Sequence, residues 1–204
     1  MARTREFDET EVLEKARDLF WERGYGATSI DDLEKHLGIS RSSLYRTFGG
    51  KRQLYDRTLT TYQDENLGRL RDLLLDTSDL RQALIDLFTS AARASHPECQ
   101  TGARGCYVVN ATTEMANSCT EALNFVATNR ERFVAILTDA LAGAQVRGKL
   151  DERSNAEELA DYLFVCYNGL QVIVQTRIER EKLVKAVVRA VESLPWHPTN
   201  ATTK

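Results

Sequence analysis

The sequence predicts an all-α protein of about nine helices, with a three-helix unit at the N-terminus and a larger helical domain behind it. Three observations predict this. Only three prolines occur in 204 residues, at Pro97, Pro195 and Pro198, so long stretches lack the strongest helix breaker. Apolar residues recur three and four positions apart. Cap-forming Asp, Thr and Ser residues stand before these runs, and glycines stand after them.

The elements follow in order. Val12, Ala16, Leu19 and Phe20 make one stripe, with Asp8 as N-cap, Glu11 three positions on and Gly24 as stop. After "GYGA", Thr28 stands three residues before Asp31 as a variant capping box, and Ile30, Leu33 and Leu37 form a short second stripe closed by Gly38. Ser40 caps a third short helix carrying Leu44 and Phe48, stopped at Gly49-Gly50. A fourth helix runs from Lys51 to about Leu75 with Tyr55, Leu59, Tyr62, Leu67, Leu70, Leu73 and Leu74 inward. Further helices are expected at about 80–94, 106–116, 120–147, 156–179 and 180–194, with a loop around "SHPECQTGARG". The expected division is 1–50, 51–195 and a flexible tail at 196–204.

Composition bounds the function. With 27 Lys+Arg against 30 Asp+Glu the formal charge is −3, so a nucleic-acid role must rest on a local patch. No apolar run reaches the roughly 18 to 20 residues of a membrane helix, and "MARTREFDETEV" lacks the apolar stretch of a secretory signal; a cytoplasmic protein with no membrane partner is expected. Cys99, Cys106, Cys119 and Cys166 form no CxxC pair. No cofactor is indicated; His96 with Cys99 is the sole hint of metal ligation. G-x-S-x-G, a Gly-rich phosphate loop and a Glu-x-x-His pair are all absent, which leaves an enzyme without support.

The local patch exists. From Ile39 to Arg57 stand Arg41, Arg46, Lys51, Arg52 and Arg57 against Asp56 alone. Two short helices joined by the tight "LGIS" turn fit a helix-turn-helix, whose second helix enters the DNA major groove. Leu44 and Phe48 would face the core, leaving Arg41, Ser42, Ser43, Tyr45 and Arg46 outward. Arginine can donate twice to guanine or pair with phosphate, while Tyr45, Thr47 and Lys51 suit backbone phosphates. A basic helix can also be a solvated face, or bind an acidic protein; a helical small-molecule or protein-binding module without operator recognition is the alternative.

The segment from Asp161 to Thr176, "DYLFVCYNGLQVIVQT", is apolar around most of a helix and must be buried on nearly all sides. A partner subunit would cover its second face, with Leu183, Val184, Val187, Val188 and Val191 of the last helix as the complementary stripe, in a four-helix homodimer interface. A central place in one subunit's own bundle is the other reading.

"LFWERGYGATSIDDLEKHLGISRSSLYRTFGGKRQLY", 37 positions, resembles the N-terminal signature of TetR-type bacterial transcriptional regulators. That signature has an aromatic-Gly-aromatic stretch, Thr-(Ser/Thr)-hydrophobic, then Gly-hydrophobic-Ser-x-Gly-x-Leu-Tyr-x-(His/Tyr)-Phe and a Lys. The resemblance implies a homodimer that binds a palindromic double-stranded DNA operator, usually represses, and is released by a small-molecule inducer in the C-terminal domain. By position it implies that Thr28 caps the second helix and reaches phosphate, that Arg41, Ser42, Ser43 and Arg46 contact bases or backbone, and that Tyr45, Thr47 and Lys51 contact phosphates. Ser42 replaces the usual glycine and Thr47 the usual histidine or tyrosine.

"GARGCYVVNATTEMA" is similar to a subgroup marked by Gly-Cys-hydrophobic-x-Asn ahead of a Glu. Some members of that subgroup sense electrophiles or oxidants, which gives Cys106 a reading as a reactive thiol beside the ordinary one of a small buried residue. Asn110 and Glu114 share a helix face with Cys106 and are candidates to line a ligand cavity or to bond other helices. Phe88, Tyr107, Phe125, Phe133, Phe164 and Tyr167 are candidates for an aromatic pocket.

Overall fold

The structure, a computed structural model, describes residues 7–94, 103–115 and 120–198, apart from the side chains of 120–123. Nine helices lie among the described residues: α1 (Glu9–Arg23), α2 (Ile30–Leu37), α3 (Arg41–Phe48), α4 (Lys51–Leu75), α5 (Leu80–Arg93), α6 (Tyr107–Met115), α7 (Thr120–Val146), α8 (Ala156–Ile173) and α9 (Arg180–Glu192). His96, Cys99 and Cys119 fall outside the described residues, as does the metal suggestion resting on the first two.

The caps explain the short N-terminal helices. Asp8 accepts from the Thr10 amide at the start of α1. The α2 cap is Ser29, one residue later than the sequence pattern predicts: Ser29 and Asp32 form a reciprocal capping box. Thr28 is instead fully buried, its hydroxyl donating to the Gly24 carbonyl at 2.7 Å. Gly38 then ends α2 at φ +68°, where only glycine is unstrained. No neighbouring atom crowds that position, so backbone conformation alone calls for glycine.

Two apolar cores are strung along α4, whose 25 residues span about 37 Å at 1.5 Å each. The first gathers Val12, Ala16, Leu19 and Phe20 of α1, Leu33 and Leu37 of α2, Leu44 and Phe48 of α3, and Leu54, Tyr55 and Leu59 of α4. It also takes Cys106, Tyr107, Val108, Ala111 and Met115 from the α6 segment. The N-terminal unit is therefore not closed at residue 50: the first half of α4 and all of α6 complete it. The second core packs α5, α7, α8, α9 and the rest of α4 around Leu74, Leu84, Phe88, Leu137, Leu141 and Leu163.

Some expectations need correction. Leu73 is exposed, because Leu67, Leu70 and Leu74 already take the inward stripe of α4. α8 stops at Ile173, six residues before the predicted end. Its last carbonyls are taken by side chains: Thr176 Oγ1 donates to Ile173 O, Arg180 Nη1 to Val174 O and Gln175 Nε2 to Gln171 O. Such competition for backbone acceptors ends helices, and the β-branched run Val172, Ile173, Val174 adds to it. The tail is tied down through His197. Trp196 pairs with Leu150 in an isolated bridge and donates its indole N–H to Val191 O at 2.8 Å. The His197 amide reaches Lys149 O at 2.9 Å.

Candidate DNA-binding site

α3 is built to present one face. Leu44 and Phe48, four residues apart, are buried against α1, α2 and α4, and Ser40 caps the helix by accepting the Ser43 amide at 3.2 Å. The opposite side exposes Arg41, Ser42, Tyr45 and Arg46, two pairs at i,i+4 spacing on a helix without an acidic residue. Tyr45 is 52% exposed although its ring is large and apolar. Thr47 and Lys51 are half-buried at the edge of this face.

Ser43 does not join it. Its side chain is buried, with its hydroxyl accepting from Ser40 Oγ at 3.1 Å and from Arg46 Nη2 at 3.2 Å. Thr28, buried as described, likewise offers no side-chain atom outward. In the place predicted for Thr28, the exposed cap is Ser29. The adjacent "TS" pair carried the ambiguity: either residue can cap, and Asp32 rather than Asp31 decides in favour of Ser29.

Charge at the site is arranged in layers. The Arg41 guanidinium is 2.5 Å from Asp31 and 3.4 Å from Glu34, both on α2, and its own amide donates to Glu34. These exposed pairs hold the side chain in place more than they stabilise the fold. Arg46, by contrast, has among the described residues a serine hydroxyl as its guanidinium's hydrogen-bond partner, Ser43 Oγ at 3.2 Å. The Lys51 ammonium sits 4.1 Å from the centre of the Tyr25 ring, a cation–π contact, and burial lowers its pKa below the ordinary lysine value.

The candidates for a ligand cavity divide between the cores. Phe88, Phe133 and Tyr167 come together with Phe164: Tyr167 lies 5.3 Å from Phe88 and 5.5 Å from Phe133, and Phe133 5.4 Å from Phe164. Tyr107 belongs to a second aromatic cluster, with Trp21 and Tyr62 each 5.7 Å away, and its hydroxyl bonds Thr58 Oγ1 at 2.9 Å. Cys106 lies between them, lining a cavity of about 20 Å³ with Phe133, Tyr167 and three asparagines, Asn66, Asn129 and Asn168. That space holds about one water. The asparagines escaped notice because each is an isolated polar residue beside an apolar stripe.

Burial pushes the Cys106 thiol up, and Tyr62 Oη approaches its sulfur at 3.8 Å. Tyr167 is pushed up to about 12 for the same reason, burial of the phenol. Asn110 and Glu114 turn away from this cavity. Asn110 donates to Arg104 O at 2.9 Å and accepts from Gln175 Nε2 at 3.0 Å. Glu114 reaches the turn between α1 and α2, accepting the amides of Tyr25 at 2.9 Å and Gly26 at 2.6 Å. Phe125 lies elsewhere again, on an apolar groove of about 200 Å³ lined by Tyr55, Leu59, Ala111 and Met115.

A capped, exposed basic helix after a tight turn, carried on a second helical domain, defines a helix-turn-helix transcriptional regulator. Comparison with known proteins agrees. The family profile of bacterial regulatory proteins, tetR family, matches residues 12–58. The uncharacterized HTH-type transcriptional regulator YezE of Bacillus subtilis (strain 168) is 30% identical over 185 residues, covering 90% of this chain and 94% of the relative. The HTH-type transcriptional repressor ComR of Escherichia coli (strain K12) is 27% identical over 184 residues, covering 90% and 87%. A cysteine mutant of the TetR family regulator CifR, complexed with 26-base-pair operator DNA, superposes with a TM-score of 0.82 at 27% identity, covering 95% of this chain and 100% of that one. The chain belongs to the TetR family of bacterial transcriptional regulators.

Proposed function

We propose that this regulator is a repressor that binds a palindromic operator as a homodimer and is released by a small molecule held in its C-terminal domain. The observation that carries the DNA part is the outward face of α3, with Arg41, Ser42, Tyr45 and Arg46 on one side of a helix fixed by Leu44 and Phe48. Arg46 and Arg41 are assigned base or backbone contact, Ser42 a base, and Tyr45, Thr47 and Lys51 phosphates. Arg41 must exchange or share its bonds to Asp31 and Glu34 on binding. The relatives favour repression: ComR, BdcR and KstR2 are repressors, whereas FasR is an activator.

An exposed stripe on α8 supports the homodimer. Tyr162, Val165 and Val172, with Gly169 between them, recur at helical spacing and remain uncovered in the single chain. Of the α9 stripe, Leu183, Val187 and Val191 are spent against the chain's own core, which leaves Val184 and Val188 half-buried for a partner. An exposed apolar stripe of this kind, continuous with the half-buried Val184 and Val188 of the neighbouring helix, fits a protein partner. Release works through spacing: two recognition helices must lie about 34 to 36 Å apart to enter successive major grooves. A ligand that parts Phe133 from Tyr167 displaces α7 and α8 against α4, whose first residue, Lys51, is assigned above to a phosphate.

Selection of bound sequences from randomised duplex DNA tests this reading. Enrichment of a palindrome, lost on replacing Arg41 and Arg46 together by alanine, is the expected result. No enriched palindrome, or binding that ignores the double replacement, refutes it.

A further inference from the structure

Beside apolar packing, α1 is tied to the rest of the subunit by Arg57 of α4 on Glu9 at 3.2 Å and by Arg104 beside Glu22 at 3.9 Å, and α6 adds directional contacts of its own. This helix is fastened at one end by Tyr107 to Thr58 of α4 and by Asn110 to Gln175 beyond α8. Asn110 also shares the Arg104 carbonyl with the indole N–H of Trp21 in α1, at 2.9 and 3.2 Å. At the other end stands Glu114, the penultimate residue of the helix, with each carboxylate oxygen on a different amide of the α1–α2 turn.

The turn is shaped for that carboxylate. A Cβ at Gly24 would lie 3.0 Å from Glu114 Oε2, and one at Gly26 would lie 3.2 Å from Oε1. Gly24 also has φ +83°, but Gly26 has no positive φ, so there it is the approach of Glu114 that a side chain would obstruct. Amides bonded to a carboxylate form hydrogen bonds roughly twice as strong as neutral ones. Apolar burial between α1 and α4 has no preferred direction of its own, and the Arg57–Glu9 ion pair between them lies at the start of α1, away from the turn. Beyond the turn, α2 and α3 are joined by the short Gly38 turn and share the first core through Leu33, Leu37, Leu44 and Phe48.

We propose that Glu114 is a positioning residue for operator recognition: its carboxylate clamps the α1–α2 turn to α6 and thereby sets the angle at which the α2–α3 unit stands on the subunit. Any rotation of α6 reaches the recognition helix through this grip. The same carboxylate acts electrostatically on Lys51, whose ammonium lies over the ring of Tyr25, the residue whose amide it holds. The proposal rests on the operator-binding reading given above.

The test uses the full chain with its selected operator and four variants: Glu114→Ala, Glu114→Gln, Gly26→Ala, and Glu114→Ala with Gly26→Ala. Operator affinity is read by fluorescence anisotropy, and hydrogen exchange is read at the Tyr25 and Gly26 amides. Through its coupling to operator binding, loss of the clamp in Glu114→Ala is expected to lower operator affinity about tenfold, with both amides exchanging faster. Glu114→Gln, which keeps one acceptor oxygen, should lie between Glu114→Ala and the parent. Gly26→Ala should weaken binding when Glu114 is present and add nothing when it is absent, because the methyl then has no carboxylate to displace. Glu114→Ala binding as tightly as the parent overturns the proposal, as does strict additivity of the two substitutions. Equal tightening by Glu114→Ala and Glu114→Gln also overturns it, since the role is then charge alone. If the parent selects no operator, the operator reading fails on its own, while the exchange of the two amides still reports whether the clamp exists.

Discussion

Replacing Lys51 by methionine separates its charge from its packing. The Lys51 ammonium lies 4.1 Å from the centre of the Tyr25 ring, and methionine keeps an unbranched side chain of similar bulk there while removing the cation. Each phosphate neutralised contributes about 0.9 to the slope of log affinity against log salt, so a dimer losing two such contacts loses about 1.8. Between 50 and 200 mM salt, a fourfold change, the parent should then lose about 12-fold more affinity than Lys51→Met. Anisotropy titrations on operator and on scrambled duplex at four salt concentrations supply the slopes. The reduction should be the same on both sequences, because a phosphate contact carries no sequence information. Equal slopes for parent and variant would refute the assignment, and a change confined to the operator would make Lys51 a base-reading residue.

Other expectations follow from residues already placed. Val165 is 68% exposed in the middle of the α8 stripe, so Val165→Asp should give a monomer by analytical ultracentrifugation, with its helical circular dichroism retained and its operator binding lost. Burial raises the Cys106 thiol, which favours its neutral form; alkylation by iodoacetamide should be slow at pH 7.5 and still accelerating with pH beyond the range where an exposed thiol levels off. A plateau near the ordinary thiol value would refute that. Tyr107→Phe removes one partner of the buried bond to Thr58, whose hydroxyl still donates to Tyr55 O, so the loss in unfolding free energy should be about 1 kcal/mol by urea titration. Leu44→Ala, at a fully buried position, should cost about 2 to 5 kcal/mol.

What could be read in the sequence was what local chemistry decides. Gly38, Ser40, Leu44 and Phe48 specify a turn, a cap and an anchored helix from within eleven residues, and the structure places them so. The α4 start at Lys51 follows from the Gly49-Gly50 pair before it. Choices between near-equal neighbours were harder. Thr28 and Ser29 differ by one methyl group as caps, and the register was settled by Asp32. Ser42 and Ser43 are the same residue type in adjacent positions, and only the turn of the helix buries one of them. Partners distant in the chain could not be read at all: the bond from Glu114 to the Tyr25 amide spans 89 positions, and no periodicity marks it. The same holds for the split of the aromatic residues, since Tyr107 and Tyr167 look alike in sequence and belong to different cores.

The shared first core bears on how such regulators could be recombined. A DNA-reading module cut at the Gly49-Gly50 pair and spliced onto a foreign sensor would leave Phe20, Leu33 and Leu44 facing whatever that sensor supplies in place of Tyr55, Leu59, Tyr107 and Ala111. A working hybrid must import α6 and the first half of α4 along with α1 to α3, or match those side chains in the recipient. The transferable unit is thus discontinuous in sequence, and any engineered specificity swap should draw its boundaries from the packing.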